Sequence, residues 1–71
     1  MRAKAEPMKH AFIKLTDYAG RAFYVDTCTI RIIEPKEGDG LRADVMVTDG
    51  LSRACRETPD EVIALIEASQ K

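Results

Sequence analysis

The chain has 71 residues, of which 45% are hydrophobic and 32% are charged. Eleven basic residues against twelve acidic ones leave a formal charge of −1, so the chain lacks the basic surface on which nucleic-acid binding usually depends. This composition excludes a disordered chain, and no apolar run approaches the roughly 18 residues of a membrane helix. The N-terminal residues also lack the apolar stretch of a signal peptide. We therefore predict a small cytoplasmic protein without a nucleic-acid partner and without membrane insertion.

The first ten residues differ in character from the rest of the chain. Residues 1–10 mix charged side chains, Ala and Pro without a hydrophobic period, which predicts a flexible N-terminal arm. From residue 11 onward apolar residues recur at regular spacing. We predict a single domain over residues 11–71, with four strands followed by one helix.

The domain begins with the pattern of a β-hairpin. Ile13 and Leu15 alternate with outward positions, as a half-buried strand requires. Residues 17–20 then supply turn residues, ending in a glycine that can adopt a positive φ angle. In the returning strand, Phe23 and Val25 are predicted to face the core.

In the next segment, residues 27–33, the spacing of the apolar side chains changes partway along. Residues 27–33 are rich in β-branched side chains, but the apolar spacing shifts between Ile30 and Ile33. We predict a bulge or bend there, which would let one continuous segment curve around a small core. Residues 34–40 contain one proline and two glycines, which predicts an exposed loop that ends the strand.

A second hairpin is predicted after this loop. Residues 41–48 alternate between two faces, which indicates another half-buried strand: the inward residues are Ala43, Val45 and Val47, and the outward ones are Arg42, Asp44, Met46 and Thr48. Asp49-Gly50 is typical of a two-residue type I′ turn, in which both central residues have positive φ angles. Residues 51–56 then return as a strand, and we predict that Cys55 is its buried member.

The last element is an amphipathic helix. Thr58, Pro59 and Glu61 form an N-terminal capping box with proline at the first helical position. The residues predicted to face the sheet are Val62, Leu65, Ile66 and Ser69, with Ile63 beside them. The predicted fold class is α+β: an antiparallel four-stranded curved sheet of two β-hairpins, followed by one C-terminal amphipathic helix packed on the sheet.

Several of these segments resemble a known family. Residues 12–16, the Val25-Asp26 pair, residues 30–35 and residues 55–62 together look like the FlbD-like small bacterial proteins. Members of that family are associated with flagellar and swarming-motility genes, and related short proteins occur in prophages. The resemblance covers about residues 11–68 and implies a small α+β architecture. It implies no catalytic residues. This chain departs from the family pattern, which usually has an apolar residue near Arg53, a branched aliphatic residue at Cys55 and often a shorter loop than residues 35–40.

The sequence contains no group of residues with the spacing of an active site or a metal site. Cys28 and Cys55 belong to no CxxC pair, and we expect core thiols rather than a disulfide. A cysteine nucleophile would need a base, and the single histidine is His10 on the predicted arm. The aspartates at the turns match no calcium loop. We therefore predict no catalytic residue, no cofactor, no metal ion and no enzymatic activity.

Basic, aromatic and methionine side chains are predicted on the sheet face opposite the helix. This combination is enriched at protein interfaces, although a solvated face with scattered charges is the alternative. The predicted protein-interaction residues are Lys14, Arg21, Tyr24, Arg42, Met46 and Arg53.

These observations favour a small non-enzymatic protein-interaction module. It would be an adaptor or regulator that binds a protein partner through an exposed sheet face or edge, with homo-oligomer formation as a related expectation. The alternative is a phage-type inhibitor protein that blocks a host enzyme or defence complex. Such an inhibitor would use the acidic side chains Glu34, Glu37, Asp39 and Asp44.

Overall fold

The structure, a computed structural model, describes residues 11–70. The predicted arm, residues 1–10, lies outside this range. Five antiparallel strands form two sheets, and one helix follows them. The two-stranded sheet contains β1 (Phe12–Thr16) and β2 (Ala22–Asp26). The three-stranded sheet contains β3 (Ile30–Pro35), β4 (Ala43–Val47) and β5 (Ser52–Cys55), and the helix is α1 (Pro59–Ser69).

The α+β class is confirmed, but the prediction of a single four-stranded sheet is wrong. A 3₁₀ turn, Thr27–Thr29, breaks the long segment that was predicted to run continuously. The side chain of Asp26 caps this turn by accepting a hydrogen bond from the backbone N–H of Cys28, at 3.0 Å. Local bonds of this kind compete with a strand ladder, so β2 ends at Asp26. β2 and β3 then pair with different strands and belong to different sheets. The predicted phase slip is confirmed as a register shift between Ile30 and Ile32.

Both hairpins use the same three-residue loop. The N–H of Gly20 donates to the carbonyl of Asp17 at 3.0 Å, and the N–H of Gly50 donates to that of Val47 at 2.9 Å. The two glycines have φ angles of 82° and 84°. A tight turn followed by one positive-φ residue fits the right-handed twist of the paired strands. The predicted type I′ turn at Asp49-Gly50 is therefore wrong, because Thr48 joins the loop and Asp49 has no positive φ angle.

Positive φ at two successive central residues occurs instead inside the long loop. Asp39 and Gly40 have φ angles of 58° and 77°, and the N–H of Leu41 donates to the carbonyl of Gly38 at 2.9 Å. Residues 34–40 are all exposed, as predicted.

Pro35 belongs to β3 and does not end the strand ahead of it. It lies opposite Ala43, next to the bond from the N–H of Lys36 to the carbonyl of Arg42. Because hydrogen-bonded pairs alternate along an antiparallel ladder, the Pro35 nitrogen faces the free edge of the sheet. The missing N–H therefore costs β3 no bond to β4.

One hydrophobic core lies between the two sheets and the helix. Its buried members are Ile13, Leu15, Val25, Ala43, Val45, Cys55 and Val62. The predicted burial of Ile13, Leu15, Val25 and Cys55 is thereby confirmed. Phe23 and Ile66 are partly buried and pack against this cluster. The helix contacts β1 and β3.

Arg56 and Glu57, which follow β5, connect the two sheets through hydrogen bonds to β1. The N–H of Arg56 donates to the carbonyl of Thr16 at 2.9 Å. The Glu57 carboxylate accepts from the N–H of Thr16 at 3.0 Å and from its hydroxyl at 2.9 Å. At the far end of α1, the amide of Gln70 bonds to the hydroxyl of Thr27 at 3.3 Å. The helix therefore begins near the end of β1 and runs back alongside that strand.

Candidate protein-interaction surface

Two of the predicted interaction residues lie side by side. Lys14 on β1 is directly opposite Tyr24 on β2. Both side chains point away from the core, because they alternate with the inward pairs on either side. Tyr24 is 63% exposed. The outward placement predicted for this pair is confirmed.

Met46 lies on a different surface. It is opposite Ser52 on one side and Ile32 on the other, on the outer face of the three-stranded sheet. Both sheets turn their inner faces towards one core. The outer face that carries Met46 is therefore separate from the one that carries Tyr24.

Arg53 does not lie on the outer face. It is directly opposite the buried Val45, so its side chain leaves β5 on the core side. Its guanidinium carbon lies 4.4 Å from the centre of the Phe23 ring, a cation–π contact worth about 0.5–1 kcal/mol at exposed sites. Arg53 covers the margin of the core between the two sheets, which corrects its predicted placement.

Arg21 and Arg42 lie just outside the strands. The N–H of Arg21 donates to the Asp17 carboxylate at 2.9 Å. This bond is the main reason why the pKa of Asp17 is lowered, with a second bond from the N–H of Ala19. Arg42 lines a groove of about 410 Å³ beside the long loop. The six predicted residues consequently do not share one face.

The structure adds Phe12 to the pair formed by Lys14 and Tyr24. Phe12 is 69% exposed and lies opposite Asp26, so it is the diagonal neighbour of Tyr24. We call the outward side chains Phe12, Lys14, Ala22 and Tyr24 the hairpin face. Strand alternation alone placed Phe12 with Lys14, so the sequence contained the information needed to include it.

A groove separates β1 from α1. Its volume is about 610 Å³, and its lining residues are Lys14, Arg56, Glu57, Glu61, Ala64 and Leu65. Leu65 is 37% exposed, so its predicted place against the sheet is wrong. The helix packs instead through Val62 and Ile66, which leaves Leu65 on the wall of the groove.

Most charged groups of the groove are engaged within the chain. The Arg56 guanidinium donates to the carbonyls of Asp17 and Tyr18. Glu61 completes the helix cap, where its carboxylate accepts from the N–H of Thr58 at 2.9 Å. Lys14 forms no ion pair with any residue between 11 and 70.

The backbone of β1 presents a free edge to this groove. The N–H of Asp17 donates to the carbonyl of Arg21, and the N–H of Thr27 donates to that of Ala11. These two bonds identify the hydrogen-bonded pairs of the β1–β2 ladder. Because these pairs alternate, the N–H and C=O groups of Phe12 and Lys14 point away from β2. No third strand pairs with β1 among the described residues.

Acidic side chains gather near the long loop. Glu34 and Asp44 are directly opposite each other on the outer face of the three-stranded sheet. Lys36 lies 3.9 Å from the Asp44 carboxylate. Glu37 and Asp39 are exposed on the loop that joins the two strands. The four predicted acids therefore share one end of the molecule.

Cys55 has the surroundings of a structural thiol. Burial raises the pKa of the Cys55 thiol to about 11, and its sulfur lies 3.6 Å from the carbonyl of Glu57. A thiol of this kind stays protonated at neutral pH and is a poor nucleophile. Cys28 is half-buried on the 3₁₀ turn. His10 lies outside the described residues, and within residues 11–70 no cluster of three potential metal ligands occurs.

Comparison of the chain with models of known protein families, with curated proteins and with solved structures returned no match in any of the three. In the part of the chain that the structure describes, no helix is long and apolar enough to cross a membrane. The resemblance to FlbD-like proteins stays a prediction.

Proposed function

We propose that the protein is a small non-enzymatic interaction module that binds a protein partner through the hairpin face. One observation carries this proposal. Two large aromatic side chains, Phe12 at 69% and Tyr24 at 63% exposure, are diagonal neighbours on one face of a two-stranded sheet, with Lys14 next to both. An adaptor or regulator needs such a surface and no catalytic group.

Core packing does not account for the aromatic side chains of the hairpin face. The inner side of the same hairpin is filled by Ile13, Leu15 and Val25, which are all buried. Phe12 and Tyr24 leave their apolar rings in water instead. Aromatic residues are enriched at the centres of protein interfaces, where their loss costs the most affinity. Aromatic side chains have only two χ angles and therefore lose little conformational entropy when they bind.

The test is to isolate a partner by affinity capture and to measure its affinity for single variants by calorimetry. Phe12→Ala and Tyr24→Ala should each weaken binding about tenfold or more, since truncation of a central aromatic costs over 1.4 kcal/mol. The matched control is Tyr18→Ala, because Tyr18 is 68% exposed but lies in the turn outside the hairpin face.

The control should change the affinity less than twofold, and all three variants should keep the thermal midpoint of the parent. An equal loss in the control, or no loss in either hairpin-face variant, would contradict the proposal.

A phage-type inhibitor is the second candidate function, favoured by the acids near the long loop. Like charges directly opposite each other, such as Glu34 and Asp44, normally destabilise a sheet. Lys36 offsets only part of this repulsion. The same assay separates the two functions, because an inhibitor with an acidic surface should lose affinity on Glu34→Lys and keep it on Phe12→Ala. A location in the cytoplasm and a link to motility remain predictions.

A further inference from the structure

The free edge of β1 has the geometry of a self-complementary contact. We propose that two copies of the chain pair their β1 strands antiparallel about a two-fold axis through Ile13. The two hairpins would then form one continuous four-stranded sheet. Since α1 runs alongside β1, the two helices would lie antiparallel beside the joined strands. This pairing does not depend on any partner of the hairpin face.

The available backbone groups define the register. Phe12 and Lys14 direct their N–H and C=O groups away from β2, whereas Thr16 is already bonded to Arg56 and Glu57. A two-fold axis that uses both free residues must therefore pass through Ile13. It places Phe12 opposite the partner's Lys14 and forms four backbone hydrogen bonds. An unpaired edge of this kind is a template for another strand.

The side chains match this register. Lys14 would lie beside the ring of the partner's Phe12, which is a suitable acceptor for a cation–π contact. No described residue forms an ion pair with Lys14, so the ammonium group is available for this contact. The exposed side chain of Leu65 would be covered in the groove, which adds apolar burial.

The charged residues of the groove are also compatible with a second copy of the chain as its occupant. The groove is lined by two cations, Lys14 and Arg56, and by two anions, Glu57 and Glu61. A two-fold axis therefore brings together balanced sets of charge, whereas a groove of one sign would repel its own copy. The whole chain carries a formal charge of only −1.

The first experiment is light scattering coupled to size exclusion on the full chain, from low micromolar to near-millimolar concentration. We expect the mass of two chains at the upper end. Lys14→Pro removes one edge N–H per chain, and therefore two bonds per dimer, without touching the ladder to β2. At about 1 kcal/mol for each bond, dimer affinity should fall about thirtyfold or more.

The matched control is Tyr24→Pro. Tyr24 is directly opposite Lys14, so its N–H also points out of the hairpin, but towards the other edge. This variant should dimerise like the parent. If it lost the dimer as Lys14→Pro does, pairing through β1 would be contradicted.

Amide hydrogen exchange on the unmodified chain tests the same contact if either proline variant fails to fold. The N–H groups of Phe12 and Lys14 should exchange more slowly as concentration rises, while that of Tyr24 should not change. A monomer at all concentrations overturns the proposal, as would a dimer without this protection. The Tyr24→Ala test of the hairpin face is independent of these outcomes, because Tyr24 lies on β2 and takes no part in the β1 contact, whereas Phe12 belongs to both surfaces.

Discussion

Cys55 and Arg53 lie two residues apart on β5, and both leave the strand on the core side. Cys55 is fully buried opposite Ala43, whereas Arg53, opposite Val45, is exposed. A thiol can be dehydrated at small cost, but an unpaired guanidinium cannot. Arg53 therefore stretches to the margin of the core and places its charge over Phe23. One face of β5 therefore carries both a buried thiol and an exposed guanidinium, because Cys55 lies inside the core and Arg53 lies at its margin.

Burial makes the chemistry of Cys55 predictable. Its pKa of about 11 in the folded chain exceeds the value of about 8.5 for an unfolded cysteine. The raised pKa favours the neutral thiol, so this contribution to stability is complete below pH 8.5 and is lost as pH rises through about 11. We expect the difference in thermal midpoint between the parent and Cys55→Ala to shrink above pH 9. A difference that stayed constant to pH 11 would contradict the burial of this thiol.

At the scale of single elements, α1 is the one whose start is best determined by its own residues. The Thr58 hydroxyl accepts from the N–H of Glu61 at 3.1 Å, and the Glu61 carboxylate accepts from the N–H of Thr58 at 2.9 Å. Pro59 occupies the first helical position. All of these bonds join residues three apart or fewer, which is why sequence alone predicts them.

Removing the cap should destabilise the domain measurably. Thr58→Ala should lower the free energy of unfolding by about 1 kcal/mol, because the N–H of Glu61 loses its acceptor. Thr58→Ser keeps the hydroxyl and is the matched control, expected to change stability by a few tenths of a kcal/mol at most. Urea denaturation measures both. Equal losses in the two variants would mean that the threonine methyl group, not the cap, stabilises the helix.

The strand boundary at the 3₁₀ turn depends on both local and distant contacts. Asp26 caps the turn locally, a pattern that is present in the sequence. Whether β2 and β3 then belong to one sheet depends on which strands pair with them. β2 pairs with β1, and β3 pairs with β4. Each of these pairings joins consecutive strands and can form in one sheet or in two, so the sequence pattern could not distinguish a local bend from a change of sheet. The two sheets are held together by bonds between distant residues, such as Arg56 with Thr16.

At the scale of the whole molecule, α1 docks on the shared core mainly through Val62, with Ile66 partly buried against the same cluster. Val62 is completely buried, whereas the next residue, Ile63, is 43% exposed. A domain of this size has a total stability of roughly 4–10 kcal/mol. Loss of the contact between Val62 and the core would therefore remove a large fraction of this stability.

Val62→Asp should unfold most of the chain, because it places an unpaired carboxylate in the core at a cost of several kcal/mol. Ile63→Asp introduces the same group one position later on the exposed side of α1 and should leave a cooperative transition. Circular dichroism during heating distinguishes the two variants. A normal melting transition for Val62→Asp would show that α1 does not dock as described.

The sequence by itself determined the local features of this protein. Alternation identified the inward residues of the strands, glycine identified the turns, and the capping box identified the start of α1. Only the tertiary structure decided that the strands form two sheets, that Arg53 covers the core margin, and that a groove opens between β1 and α1. The physical reason is range. Periodicity and capping act over a few residues, whereas the packing of the two sheets and the groove beside α1 depend on contacts between distant segments, such as Thr16 with Glu57.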